Sequence, residues 1–218
     1  MLPDGVSYRA GSIRAVEMDE FWALVEASAD GPRTPDERLA WLTDRLAGQP
    51  AAEVVDFALR LDELRGPVDT WRLWGAALLI FDGFCSDDSF FYFQTWLIGR
   101  GRAAYHRVLA DPDALANLPE VRRLAGRPMR DWAEDELPDW ECLDYVADEA
   151  YERITGEEEG LDDAVEARGR ELRCSPEPAD EAWDVRESAE LAHRYPRLAA
   201  LFPLPGRGRG AVWETATP

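Results

Sequence analysis

Two stretches of the chain, Trp71 to Phe81 and Phe90 to Ile98, are apolar around nearly the whole circumference of the helices they predict. A helix with one apolar stripe can lie at a surface, whereas one that is apolar all round must be enclosed by other elements. The pair therefore fixes a centre and demands several covering helices. A membrane is not the enclosure, because the longest apolar run, Leu73 to Phe81 with Gly75 inside it, falls well short of the roughly 20 residues that cross a bilayer.

The remaining chain reads as that cover. Met18-Asp19-Glu20-Phe21-Trp22-Ala23-Leu24-Val25 opens an amphipathic pattern. Thr34-Pro35-Asp36-Glu37 has the form of a helix start, with a Thr cap, Pro at the first helical position and Glu reaching back to the cap; its helix is predicted to run to Ala47. Val54, Phe57, Ala58, Leu61 and Leu64 recur at helical spacing with one face buried, and Gly66-Pro67 is expected to stop that helix. Gly99 to Ala110 predicts another helix, broken by Asp111-Pro112-Asp113. Leu143, Val146, Ala147, Ala150 and Ile154 form a further stripe closed by Thr155-Gly156. No strand alternation or internal repeat is visible. The expected fold is all-α: a single multi-helix domain packed around two central apolar helices, 71–81 and 87–98, with an acidic C-terminal extension. At 218 residues one domain suffices. Its expected parts are a disordered leader 1–17, a helical core domain 18–156, an acidic linker 157–182, a helical unit 183–202 and a flexible tail 203–218.

The formal charge of −20 is unevenly spread. Residues 1–130 hold 20 carboxylates and 15 arginines, residues 131–190 hold 23 and 5, and residues 191–218 hold 1 and 4. One acidic segment thus dominates the field, which repels nucleic acid and anionic lipid and attracts cations or a basic protein or peptide. Three cysteines, Cys85, Cys142 and Cys174, lack metal-knuckle spacing and are odd in number, and the leader has no signal-peptide pattern, so reduced thiols in a cytoplasmic protein are expected. With two histidines, His106 and His193, far apart, no cofactor is expected and a His-rich metal site has little to draw on.

A block of motifs extends across most of the chain: Trp71-Arg72-Leu73-Trp74-Gly75-Ala76-Ala77-Leu78-Leu79-Ile80, Gly83-Phe84-Cys85-Ser86-Asp87-Asp88-Ser89-Phe90, and Trp96-Leu97-Ile98. It continues through Asp111-Pro112-Asp113-Ala114-Leu115 and Tyr145-Val146-Ala147 to Thr155-Gly156. Over residues 18–156 the sequence resembles a bacterial domain-of-unknown-function family, number 4240. The resemblance implies a helical fold and no particular activity, and it has no counterpart for the acidic linker and C-terminal unit.

Candidate chemistry gathers between the two apolar helices. Cys85-Ser86-Asp87-Asp88 places a thiol, a hydroxyl and two carboxylates at their junction. Ser86 or Asp87 is expected to cap the second helix, and a carboxylate not needed for capping is a candidate ligand contact, cation ligand or general base. Asp87, Asp88 and, from the 141–154 helix, Glu149 are the candidate catalytic residues; Asp87 and Asp88 are the candidate metal ligands; Trp71, Trp74, Ser86 and Tyr145 are candidate ligand contacts. No Gly-rich phosphate loop or nucleophile elbow is present. The leading expectation is a binding or regulatory module with an acidic partner surface. The alternatives are a small enzyme, metal-dependent or not, using the junction carboxylates, and an acidic mimic of DNA.

Overall fold

The computed structural model describes residues 17–31, 34–185 and 187–204. Residues 1–16 of the expected leader and the end of the expected tail lie outside these residues. The described chain consists of eleven α-helices and four short 3-10 turns with no strand, an all-α fold.

Helices α1 (Met18–Ser28) and α2 (Pro35–Ala47) begin on side chains that reach back along the chain. At α2, Thr34 accepts the Glu37 N–H at 3.2 Å while Glu37 accepts the Thr34 N–H at 2.8 Å, so two otherwise orphaned donors are satisfied reciprocally. The two apolar segments become α4 (Trp71–Ile80) and α5 (Asp87–Ile98). Every residue from Leu73 to Ile80, and every one from Phe93 to Gly99, is buried. Their connection turns sharply through Asp82 and Gly83, at φ 54° and 83°, and the Gly83 N–H returns to the Leu78 carbonyl at 2.7 Å.

Helix α3 (Ala51–Val68) departs from expectation twice. It runs through Pro67 and ends one residue later at Val68, where the Asp69 N–H closes the end on the carbonyls of Arg65 and Gly66 at 2.9 and 3.3 Å. It is also buried on its polar side, where Asp56, Asp62 and Arg65 are covered. Around this centre lie α6 (Arg102–Ala110), a 3-10 turn (Pro112–Asn117) and α7 (Pro119–Leu124). Short turns lead to α8 (Val146–Thr155), which lies on α2 and α3 and ends on Gly156 at φ 74°.

The cover on α3 comes from the segment read from sequence as an acidic linker, 157–182. Its α9 (Gly160–Glu166) buries Leu161 and Val165 against α8 and α3. Beyond it, Arg168 pairs with Asp56, Arg173 pairs with Asp62 at 2.9 Å, and the Glu177 N–H donates to Asp69 at 2.7 Å. Asp180 then accepts the Trp71 and Arg72 N–H groups at 2.6 and 3.2 Å, joining the Thr70 hydroxyl in capping α4. This strap leads to α10 (Ser188–Arg194) and α11 (Pro196–Leu201), which set Leu191, Tyr195 and Leu198 into the core beside α4 and the Pro112–Asn117 turn. Among the described residues no helix is long and apolar enough to cross a membrane.

Candidate functional site

At the α4–α5 junction the cap is Ser86, whose Oγ accepts the Ser89 N–H at 3.1 Å. Neither Asp87 nor Asp88 caps; both project into solvent from the first turn of α5, where the helix dipole favours a negative charge. Of the two expected caps, Ser86 and Asp87, the hydroxyl does the capping, and neither carboxylate is used for it. Burial, and next the Asp87 carboxylate, push the Cys85 thiol up to about 12, which disfavours the thiolate. Trp71, Trp74 and Phe90 form one stack, with centroids 5.2 and 4.5 Å apart, and the Trp74 indole N–H donates to the Cys85 carbonyl at 3.2 Å.

Asp88 and Glu149 have different neighbours. Tyr145 reaches from the α8 side to the α5 side: its hydroxyl donates to Glu141 at 3.4 Å. Burial first, then Glu141, push the nearby Tyr92 hydroxyl up to about 12, with Tyr145 and Asp88 adding to the effect. Glu149 instead accepts from Thr43 of α2 at 3.3 Å and pairs with Arg153 at 2.5 Å. Among the described residues no group of three His, Cys, Asp or Glu side chains is placed to hold a metal ion.

The acidic segment carries its own electrostatic signature on the α8–α9 seam. Burial first, then the carboxylates of Asp162 and Asp144, raise the Asp148 carboxyl to about 6. Asp144 is partly neutralised by Arg65, which lies beneath it. Asp162, on α9, is exposed.

A pocket of about 330 Å³ opens elsewhere, between the start of α2, the end of α5, α7 and residues 135–140. Arg38, Trp96, Leu124 and Trp140 form its buried floor, with Arg38 7% and Trp140 5% exposed. The Arg38 guanidinium lies over the Trp140 ring, 4.2 Å from its centroid, and donates to the Ser28 hydroxyl at 3.2 and 3.1 Å and the Gly99 carbonyl at 2.9 Å. Gly99 is needed here for space: a Cβ at this position would run into the Trp140 ring. Arg100 stacks 5.3 Å from Trp96 and donates to Glu120 at a long 3.4 Å; burial lowers its proton affinity despite that carboxylate.

Two donors of the lining, Arg100 Nε and Trp140 Nε1, are sealed from solvent with no acceptor. A buried group left in that state costs about 1–3 kcal/mol. The lining carries both signs of charge, Arg38, Arg100 and Arg123 beside Glu120, Asp135, Glu136 and Asp139. Thr34, Arg123, Asp135 and Asp139 are exposed around the mouth. Sequence reasoning passed over this pocket because its parts are spread from Thr34 to Trp140. One signal was available: Arg38 stands four residues before Leu42 and eight before Leu46, in register with the buried face of α2.

The pocket lies wholly inside the segment that comparison with known proteins identifies, whereas the strap, α10 and α11 lie beyond it. No curated protein and no solved structure matches the chain. A family model described as a protein of unknown function (DUF4240) matches residues 16–153, well over half of the sequence, and the chain belongs to that family.

Proposed function

We propose that the chain is a binding module for a small anionic ligand, taken up in the pocket over Arg38, Arg100 and Trp140. The observation that carries this reading is the pair of arginines in the pocket: Arg38, buried with its guanidinium over the Trp140 ring, and Arg100, whose proton affinity burial lowers despite Glu120. Water-excluded guanidinium groups favour carboxylate and phosphate over neutral ligands. Trp96 and Trp140 line the pocket, so tryptophan fluorescence reports occupancy. Titration with inorganic phosphate and simple carboxylates should change the emission saturably. Arg100→Gln, which leaves Arg38 and its packing in place, should weaken binding at least about tenfold. Unchanged affinity in that variant would refute the reading.

A second reading keeps the acidic surface as the dock for a basic protein or peptide in the cytoplasm. The crowding of Asp148 by Asp162 and Asp144 supports it, since a cationic partner relieves that repulsion. An oligoarginine peptide should bind with strong salt dependence and lose affinity in Asp162→Asn. Free cysteines at positions 85, 142 and 174 fit a reducing compartment.

A further inference from the structure

We infer that the ligand of the pocket is a small zwitterion, a free amino acid or a compound of that charge pattern, with its carboxylate against Arg100 and its ammonium group against Asp135 and Asp139. This rests on the anion reading above and narrows it. Three arginines line the walls, Arg38, Arg100 and Arg123, together with four carboxylates, Glu120, Asp135, Glu136 and Asp139. Glu136 is already matched from outside the lining by Arg127, which donates to both of its oxygens at 2.7 Å. With both signs left on the walls, the pocket is suited best to a ligand that carries both.

The deepest charge is positive and the mouth is mixed, with Arg123 beside Asp135 and Asp139 at the rim and Glu120 paired with Arg100 at 3.4 Å inside. Arg38 is buried and Arg100 half-buried, whereas Asp135 and Asp139 are exposed at the mouth. Asp135 forms no hydrogen bond or ion pair with the other described residues, and Asp139 is engaged through one oxygen, Oδ1, by the Glu141 N–H at 3.0 Å. Between the charged ends, Trp96, Leu124 and Trp140 offer apolar contact for a side chain. A cavity of about 330 Å³ is at the small end of ligand sites, which run from about 300 to 1,000 Å³.

Isothermal titration calorimetry of the full chain against the standard amino acids tests this, followed, for the tightest binder, by its desamino carboxylate and its decarboxylated amine. The amino acid should bind at least about tenfold more tightly than either truncated compound. Asp139→Asn, which keeps the Oδ1 acceptor for Glu141, should erase the advantage over the desamino acid and leave the affinity for the desamino acid unchanged. Arg100→Gln should weaken both. Equal affinity for the amino acid and its desamino form overturns the zwitterion and leaves the anion reading standing, and an amine that binds as well as its parent overturns both. Failure of every amino acid and every desamino carboxylate to bind at millimolar concentration also overturns both.

Discussion

Arg65 is 2% exposed, with its guanidinium 3.6 Å from the Phe91 ring centroid and paired with Asp144. Its position four residues after Leu61 puts it on the buried side of α3, where a long charged side chain is tolerated only with a partner. That partner comes from the turn before α8, so the pair ties two elements the sequence leaves 79 positions apart. Replacing Arg65 with Met keeps the volume but leaves Asp144 uncompensated, and its carboxyl is already raised by burial. Chemical denaturation should show Arg65→Met costing about 3–5 kcal/mol, most of it recovered when Asp144→Leu is added. A double variant as unstable as the single one would mean that the arginine's contact with Phe91, rather than the ion pair, holds this point. The same logic of partners explains why the candidate residues at the α4–α5 junction read ambiguously from sequence. Ser86 and Asp87 are both good caps, and which one caps depends on where the helix begins.

Local chemistry made some elements legible and long-range chemistry hid others. The Thr34 cap, the Gly156 terminator and the all-round apolarity of α4 and α5 are written in consecutive residues, and the chain forms them as expected. The polar face of α3 looked solvated because its cover lies over a hundred residues later: Arg168 reaches Asp56 across 112 positions and Arg173 reaches Asp62 across 111. The pocket was hidden for the same reason, its walls being contributed by segments that no spacing rule connects. Gly75 marks where the C-terminal cover meets α4. A Cβ there would come within 2.6 Å of the Trp183 ring and 3.0 Å of the Tyr195 hydroxyl, which donates to the Arg72 carbonyl at 2.6 Å. Alanine suits the helix at this position better than glycine, by about 1 kcal/mol. Gly75→Ala should nevertheless destabilise the protein, and limited proteolysis should cut the strap between 168 and 185 sooner than in the native chain. If the variant is instead more stable and equally resistant, the ring shifts without cost and the docking at Gly75 is loose.

Across the whole molecule, the charge of −20 sets how stability responds to pH, and the α8–α9 seam shows where the burden falls. The Asp148 carboxyl, ordinarily near 3.8, is raised to about 6, so the fold prefers it protonated. Its contribution is therefore fully favourable below about pH 4 and is lost as pH rises through 6, where the folded chain must hold a half-buried charge beside Asp162 and Asp144. Removing that charge should help at neutral pH. Asp148→Asn should gain about 1–2 kcal/mol at pH 7.5 after allowance for solvent screening. By linkage the gain should fall by about half near pH 5 and vanish below pH 4. Because burial is the larger cause and Asp162 the next, Asp162→Asn should give a smaller part of the same gain. The two together should then give less than the sum of the single gains, since the repulsion can be removed only once. Calorimetric melts of the four proteins at pH 7.5 and pH 5 measure all of this, and strict additivity would show that burial alone raises Asp148 and that the carboxylates of the seam do not feel one another.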